Sequence, residues 1–376
     1  MKWEKVKLGN VTDSCLGKML DQNKNKGDYL PYLANVNVRW GEFDLEDLPL
    51  MKFEESEQER YELKYGDLVI CEGGEPGRCA IWKEQIPNMK IQKALHRVRV
   101  HDCLDYRYLF YWFLLAGKTG ELDQYFTGAT IKHMPGQKLK EVVIDKPPLE
   151  IQHRIADILS AYDDLIENNQ KQIKLLEEAA QRLYKEWFVD LRFPGHENMK
   201  IVDGVPEGWR RGLLKELISV NYGKDHKKAP DDGNIPVYGS GGLMRKCNKS
   251  LFSGEAVLIP RKGSLNNIMY VDETFWTVDT MFYATMKQPH TAVFVYFFVK
   301  AFDMYSMNIG AAVPSMTTKI LDAMDVVIPD KETLEKFDKL TKTYFNKIKT
   351  LQGQNERLKI ARDLLLAKLM SGEVEV

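Results

Sequence analysis

One stretch near the middle of the chain constrains the fold more than any other. Residues 151–188 read IQHRIADILSAYDDLIENNQKQIKLLEEAAQRLYKEWF and contain neither glycine nor proline, although proline and glycine interrupt the chain on both sides. As an α-helix these residues would be roughly 57 Å long, at about 1.5 Å per residue. Such a helix is longer than most single domains are wide, so we expect it to separate two parts of the chain.

A second stretch of this kind, residues 331–370, follows Pro329 and contains one glycine, Gly353. In both stretches apolar residues recur at alternating steps of three and four, which is the pattern of a coiled-coil seam. In the first stretch the predicted seam slips by one residue near Asn169, which we interpret as a stutter. The predicted seam of the first stretch is Ile155, Ile158, Tyr162, Leu165, Ile173, Leu176, Ala180, Leu183 and Trp187. That of the second is Leu334, Phe337, Tyr344, Ile348, Leu351, Leu358, Leu365 and Leu369, with polar breaks at Thr341, Asn355 and Arg362.

The rest of the chain repeats itself. Trp3 and Trp209 open two similar segments at an offset of 206 residues. Each segment continues with a strand entry just after a proline, YLPYLANV or NIPVYGSGG, and then with a hairpin, GDLVICEGGEPGRCAIW or GEAVLIPRKGSLNNIMYV. An aromatic helix-like stretch follows, then TGATIKHM or IGAAVPSM, and a short apolar run, VVIDKP or VVIPDK, closes the segment.

We therefore predict an α+β protein with two mixed α/β domains joined by two long helices. The predicted parts are a first domain (1–147), a central long helix (148–190), a second domain (191–329) and a C-terminal long helix (330–376). The most economical way to bury two amphipathic helices is against each other, as an antiparallel coiled coil with a pseudo-twofold internal repeat. The alternative is that each helix packs only on its own domain, although its stripe is longer than the face that such a domain can cover.

Composition and motifs argue against several other classes of protein. No apolar run is long enough to span a bilayer and the N-terminus lacks a signal peptide, so we expect a cytoplasmic protein without membrane contact. No dinucleotide-binding fingerprint, P-loop, zinc-ligand spacing or catalytic constellation is present. The net charge is −1, but residues 210–249 hold nine Lys/Arg against four Asp/Glu, which would suit an anionic ligand. These features favour a binding scaffold over an enzyme.

Together the motifs resemble a known family. The stretch PPLEIQHRIADILSAYDDLIENNQKQIKLLEE, the tail ARDLLLAKLMSGEV, the hairpin GDLVICEGGEPGRCAIW and the domain starts WEKVKLGNV and PEGWRRGLLKEL are similar to those of type I restriction-modification specificity subunits. The resemblance covers essentially the whole chain. It implies a non-catalytic subunit with two target recognition domains, each reading half of a split double-stranded DNA site, and a coiled coil that sets the spacer.

The resemblance also implies partners. Two methyltransferase subunits would dock on this chain and methylate adenines with S-adenosylmethionine, and restriction subunits would use ATP and Mg to translocate and cleave DNA. The chain itself would bind no cofactor and no metal. The alternatives are a stand-alone DNA methyltransferase or nuclease with an unrecognised site, and a coiled-coil interaction protein unrelated to DNA.

Loop residues of the types that read base edges or phosphates are the candidates for DNA contact. In the first domain these are Asn35, Asn37, Arg39, Glu72, Glu75, Arg78, Lys93, His96 and Lys132. In the second domain they are Tyr238, Ser240, Arg245, Lys246, Arg261, Lys262, Ser264, Asn266, Asn267 and Lys319. Because the two hairpin loops differ in charge, we predict an asymmetric, bipartite target. Inserting four residues near Asn169 should lengthen the spacer by one to two base pairs, since one helical turn rises about 5.4 Å.

Overall fold

A computed structural model describes residues 3–21, 25–307 and 315–376. Most of the repeated segment IGAAVPSM therefore lies outside the described residues. The chain divides into two compact units. Unit 1 comprises residues 1–168 and 354–376, and unit 2 comprises residues 169–353, so each unit takes a part of both long helices.

Unit 1 is built on a four-stranded antiparallel sheet. Its strands are β1 (Glu4–Lys7), β2 (Thr12–Leu16), β3 (Asp28–Leu33), β4 (Leu50–Phe53), β5 (Leu68–Cys71), β6 (Cys79–Ile81), β7 (Lys90–Ile91), β8 (Leu95–Val100) and β9 (Val143–Lys146). Its short helices are α1 (Glu55–Tyr61), α2 (Tyr106–Thr119) and α3 (Gly136–Glu141). The main sheet has the order β2-β8-β5-β6, a second sheet has the order β4-β3-β7, and β1 pairs with β9.

Alternation along β5 places the main sheet between two hydrophobic cores. Leu68 and Ile70 belong to a cluster with the aromatic helix α2, whereas Val69 and Cys71 belong to a second cluster with Trp82. This period-two split is what a strand with both faces covered requires. Helix α2 begins where the Asp105 carboxylate accepts hydrogen bonds from the backbone N–H groups of Arg107 and Tyr108, at 2.7 and 3.1 Å. The β5–β6 hairpin is thus held rigidly, and its loop is carried at one edge of the core.

Unit 2 is built in the same way with a larger sheet. Its strands are β10 (Ile201–Val202), β11 (Val205–Pro206), β12 (Arg210–Leu213), β13 (Ile218–Tyr222), β14 (Ile235–Gly239), β15 (Gly242–Cys247), β16 (Phe252–Pro260), β17 (Met269–Thr277), β18 (Met281–Met286) and β19 (Asp325–Ile328). Its short helices are α5 (Ala292–Lys300) and α6 (Thr318–Asp322). The sheet order is β13-β18-β16-β17-β14-β15, and β12 pairs with β19.

The two units confirm the predicted internal repeat. The order β2-β8-β5-β6 recurs as β13-β18-β16-β17, and the aromatic stretches become α2 and α5. The closing pairs share one register, because Glu4 lies opposite Lys146 and Arg210 lies opposite Ile328. The predicted fold class, with two mixed α/β domains and two long helices, is confirmed.

The long helices are α4 (Leu149–Tyr184), which ends in a π-type turn over Lys185–Val189, and α7 (Lys331–Ser371). In unit 1 they run antiparallel, since Ile155 and Leu369 line one cavity while Asp163, further along α4, pairs with Arg362, which precedes Leu369. In unit 2 the end of α4 meets the start of α7, where the rings of Trp187 and Phe337 lie 5.8 Å apart. Both helices therefore contribute their apolar stripes to the cores of both units.

The predicted seam of α4 needs correction. Ile158 and Leu165 are 36% and 52% exposed, whereas their neighbours Leu159 and Ile166 are 0% and 5% exposed. With Leu159 and Ile166 in the seam, the steps of three and four continue through buried Asn169, so the predicted slip near Asn169 is wrong. Where two apolar residues are adjacent, as at Ile158 and Leu159, the sequence does not show which of them is in the seam. The surface against which α4 packs determines which one is buried.

The other predicted seam positions face inward. Those that are buried are Ile155, Ala180, Trp187, Leu334, Phe337, Ile348, Leu351 and Leu369, with the polar Thr341 and Asn355 among them. Those that are half-buried are Tyr162, Ile173, Leu176, Leu183, Tyr344, Leu358 and Leu365.

Candidate nucleic-acid interface

In unit 1 three loops are hydrogen-bonded into one surface, which we call the first loop cluster (residues 34–40, 72–78 and 127–134). The side-chain amide of Asn35 donates to the Gly73 carbonyl oxygen at 3.0 Å. The Arg78 guanidinium donates back to the Asn35 carbonyl oxygen at 3.2 Å. The hairpin loop and the loop after β3 are therefore fixed to each other rather than to solvent alone.

The third loop joins the cluster through its backbone. Thr127 and His133 exchange backbone hydrogen bonds, and the Met134 N–H donates to the Glu72 carbonyl oxygen at 2.7 Å. Gly73 lies against His133 so closely that a Cβ atom there would come within 2.8 Å of its ring. At Gly74 the backbone has φ +74° and a Cβ atom would lie 2.7 Å from the Asn35 amide. A side chain at either position would displace the neighbouring His133 or Asn35 side chain, and at Gly74 the left-handed backbone also favours glycine.

Two predicted DNA-contacting residues of the first domain serve the fold instead. Asn37 is 7% exposed, accepts a hydrogen bond from the Ala34 N–H and donates to the Asp44 carbonyl oxygen, so it holds the turn after β3. His96 is 1% exposed and its Nε2 lies 3.0 Å from the Met134 carbonyl oxygen. Burial lowers the pKa of His96, which favours the neutral ring. Both polar groups are satisfied internally and do not face a ligand.

The remaining predicted residues of unit 1 lie at or near this surface. Glu75 accepts a hydrogen bond from the Trp40 indole at 2.7 Å, and Arg78, with 17% of its side chain exposed, pairs with it at 3.0 Å. Lys132 lies over the Phe126 ring and 3.5 Å from Asp123. Exposed Arg39 donates to the Val36 carbonyl oxygen, Lys93 is exposed, and Glu72 and Asn35 are half-buried.

Unit 2 carries a second loop cluster (residues 240–246, 261–267 and 303–307), whose first two segments occupy positions equivalent to the first two segments of the first cluster. The Asn267 side-chain amide donates to the Ser240 carbonyl oxygen at 2.8 Å. The Tyr305 hydroxyl donates to the Gly263 carbonyl oxygen at 3.2 Å. Asn266 donates to Asp303 at 3.1 Å and accepts from the Met304 N–H at 2.8 Å. Asn266 and Asn267 therefore hold loops together, which leaves fewer of their polar atoms for bases than the sequence suggests.

Two more predicted contacts of unit 2 are engaged within the protein. The Arg245 guanidinium pairs with Asp231 and donates to the Ala229 carbonyl oxygen at 2.7 Å. The Tyr238 hydroxyl donates to Glu273 at 2.6 Å, and burial raises the pKa of Tyr238. Sequence alone cannot separate such internal donors from donors that face solvent, because both uses require the same residue types.

Two lysines of the second cluster, Lys246 and Lys262, are exposed. Ser264 in the same cluster and Lys319 outside it are also exposed. Arg261 lies over the ring of Tyr222, which is 53% exposed, with 5.5 Å from the guanidinium carbon to the ring centre. The hairpin loop of the second cluster is thus positively charged, whereas that of the first cluster carries Glu72 and Glu75.

Sequence reasoning missed several residues of these surfaces. Trp40 and His133 tie the first cluster together, and Ile131 is 64% exposed on it. Tyr305 belongs to the second cluster, and Tyr222 lies beside it under Arg261. These residues could have been identified as aromatic or apolar residues inside polar, glycine-containing loops. Candidates chosen for charged or polar donors do not include them.

Among residues 3–21, 25–307 and 315–376, none of the helices combines the length and the hydrophobicity that a membrane span requires. In the same part of the chain, no three His, Cys, Asp or Glu side chains converge as metal ligands would.

The fold and the loop clusters define a class of protein: a duplicated mixed α/β domain that presents loops of different chemistry on one framework, with two long helices shared between the copies. The family described as Type I restriction modification DNA specificity domain matches residues 1–178 and 206–359. These matches fall on the two repeats and on most of both long helices.

Individual relatives agree with the family match. The Type I restriction enzyme MjaIX specificity subunit of Methanocaldococcus jannaschii is 27% identical over 83% of this chain and 78% of its own length. The MjaVIII specificity subunit of the same organism is 24% identical over 100% of this chain and 93% of its own. The crystal structure of a Type-I restriction-modification system S subunit from M. genitalium has the same fold, with a TM-score of 0.62 and 19% identity over 98% of this chain and 96% of that one. The chain belongs to the Type I restriction modification DNA specificity domain family, and DNA recognition is its role.

Proposed function

We propose that each unit reads one half of a bipartite DNA site through its loop cluster. The observation that carries this proposal is that both units hold the hairpin loop by a hydrogen bond to the segment after the preceding strand, with different side chains on these loops. Base edges in the major groove are distinguished by hydrogen-bond donors and acceptors, so loops with different chemistry read different bases. The acidic hairpin loop of the first cluster suits cytosine amino groups, whereas Arg261 in the second suits guanine. The target is therefore asymmetric.

Exposed lysines in or near each cluster are suited to phosphates. Lys93 and Lys132 in unit 1, and Lys262 and Lys319 in unit 2, carry point charges on long side chains and are exposed. Phosphate contacts orient a protein on the duplex without reading sequence, and they make its affinity depend on salt. Arg78 acts as a positioning residue in this scheme, because its guanidinium bonds Asn35 and Glu75 rather than projecting into solvent.

The two long helices set the number of unread base pairs between the half-sites. α4 contains 36 residues and α7 contains 41, which correspond to about 54 Å and about 61 Å of helix. Their seams follow the heptad pattern of a coiled coil, so their pairing fixes a length. A duplicated framework also offers two similar surfaces to two copies of one partner.

Those partners would carry the chemistry. Two methyltransferase subunits with S-adenosylmethionine methylate one adenine in each half-site, and restriction subunits with ATP and Mg translocate and cleave unmethylated DNA. This chain contributes recognition without catalysis and binds none of these cofactors. Its DNA target places the complex in the cytoplasm.

Sequencing methylated adenines in cells that express the chain with its methyltransferase partner tests the proposal. The expected product is one asymmetric, split motif with a fixed spacer. A palindromic motif or a continuous one would contradict it. The purified chain alone should transfer no methyl group from S-adenosylmethionine to DNA. Transfer by the chain alone would instead support the stand-alone methyltransferase.

A further inference from the structure

Unit 1 contains an apolar cavity of about 660 Å³ where α4 begins and α7 ends. Its walls include Trp3, Pro148, Ile151, Ile155 and Leu369. The volume lies within the range of cavities that bind ligands. Trp3 is only half-buried beside it, and Leu369 and Ile155 belong to the core behind it.

The internal repeat shows what fills the equivalent position in unit 2. The shared register of the closing strands makes Trp209 the counterpart of Trp3 and Phe337 the counterpart of Ile155. There, the ring of Phe193 stacks on Trp209 with centres 4.8 Å apart, and Phe188 meets Phe337 at 4.8 Å. Phe193 is 2% exposed and comes from the segment that follows α4. In unit 2 the equivalent position is therefore filled by an aromatic side chain from the irregular segment that follows α4.

Unit 1 lacks the side chains that do this. When the start of α4 is aligned with the start of α7, Leu369 falls at the position of Trp187, Met370 at that of Phe188 and Glu375 at that of Phe193. The Trp209 indole donates to Asp330 at 2.8 Å, but Pro148 occupies the position that corresponds to Asp330. Across the described residues, no group accepts a hydrogen bond from the Trp3 indole. The cavity of unit 1 thus keeps the Trp3 ring as a wall and its indole N–H as a hydrogen-bond donor. It lacks a ring equivalent to that of Phe193 and an acceptor equivalent to Asp330.

We propose that this cavity binds a peptide segment of a partner protein, which inserts an aromatic side chain onto Trp3 and offers an oxygen acceptor to its indole N–H. The occupant is a protein segment because the equivalent position in unit 2 is filled by a protein segment, the one that carries Phe193. Its mouth carries Lys146 and Glu4, which form an ion pair at 3.1 Å and would frame the backbone of such a segment.

A peptide from this chain provides the probe. A fluorescent peptide with the sequence of residues 189–199, VDLRFPGHENM, should bind the full-length protein in an anisotropy titration. The same peptide with Phe193→Ala should bind at least ~10-fold more weakly, as expected when a central aromatic anchor is removed. Equal binding of the two peptides would overturn the proposal.

Two variants of the protein locate the binding site. Glu375→Phe places an aromatic residue at the position of Phe193, so it should fill the cavity, raise the melting temperature and weaken peptide binding at least ~10-fold. Glu373→Phe adds the same ring to an exposed position of the same tail and should change neither quantity. Unchanged peptide binding by both variants would overturn the proposal. If Glu375→Phe reduces expression, a photo-crosslinker at the Phe193 position of the peptide should label Trp3, Ile151 or Leu369, and labelling elsewhere would contradict the site.

The identity of the occupant is tested in the complex of this chain with its methyltransferase subunits. Of the experiments on the cavity, this is the one that rests on the proposed function. When the chain is assembled with its methyltransferase subunits, a segment of the partner should occupy the cavity, so the peptide should no longer bind. Undiminished binding to the complex would refute a partner occupant while leaving the DNA-reading role untouched.

Discussion

Replacing Leu159 with alanine tests which face of α4 is packed. Leu159 is fully buried in the core of unit 1, so the substitution removes about three buried carbon groups, at about 0.8 kcal/mol each. The cavity left behind adds to this loss, and measured Leu→Ala changes range from about 2 to 5 kcal/mol. We expect the free energy of unfolding of unit 1 to fall by about 3 kcal/mol.

The neighbouring substitution Ile158→Ala is the matched control. Ile158 is 36% exposed, and alanine gains a few tenths of a kcal/mol in helix propensity, so the loss should stay below about 1 kcal/mol. For a unit of this size, about 1 kcal/mol shifts the melting temperature by about 2–4 °C. Calorimetry should therefore show the unit 1 transition lowered by about 6–12 °C in Leu159→Ala and by less than about 4 °C in Ile158→Ala. Equal shifts, or a larger one for Ile158→Ala, would refute the corrected seam.

Two further predictions concern titration and charge. Burial lowers the pKa of His96, so the unfolded state takes up a proton that the folded state does not: stability should be constant above about pH 6.5 and fall below it, by at most about 1.4 kcal/mol per pH unit. Denaturant titrations at pH 7 and pH 5 should show a smaller pH dependence for His96→Gln than for the unmodified chain, and an equal dependence would contradict this origin. Lys262→Ala should reduce the slope of log affinity against log salt by about one in the assembled complex, whereas Lys200→Ala, on the exposed segment after α4, should leave it unchanged. The same slope in both variants would remove Lys262 from the DNA surface.

The architecture could be predicted because it is encoded in patterns that recur. Two helices without proline, an offset repeat that begins at Trp3 and Trp209, and two hairpins with the same spacing are all local signals. The seam of α7 could also be predicted, because its apolar residues form a single stripe. The polar residues Thr341 and Asn355 lie in that stripe and are buried. In α4, by contrast, Ile158 and Leu159 are equally apolar, and only packing against unit 1 decides between them.

The loop surfaces were predicted less completely, for a physical reason. Asn37, His96 and Arg245 have the side chains that read DNA, but the same groups also satisfy backbone atoms around a tight turn. Which use applies depends on whether a carbonyl or N–H group lies nearby, and that is settled by tertiary structure. Conversely, Trp40 and Tyr305 each belong to a cluster through one hydrogen bond, and the spacing of residues in the sequence does not indicate such a bond.

In the proposed function the long helices set the spacer between two half-sites. Seven residues inserted after Asn168 and seven after Gly353 would extend both helices by one heptad at the boundary between the two units, which keeps both seams in phase. The added length is about 10.5 Å, or about three base pairs at about 3.4 Å each. Methylated-adenine sequencing should then return both half-sites unchanged, with a spacer about three base pairs longer. The same insertion at the exposed Asp203 turn should leave the spacer as it was. An unchanged spacer in the doubly extended chain would contradict the proposed role of the long helices.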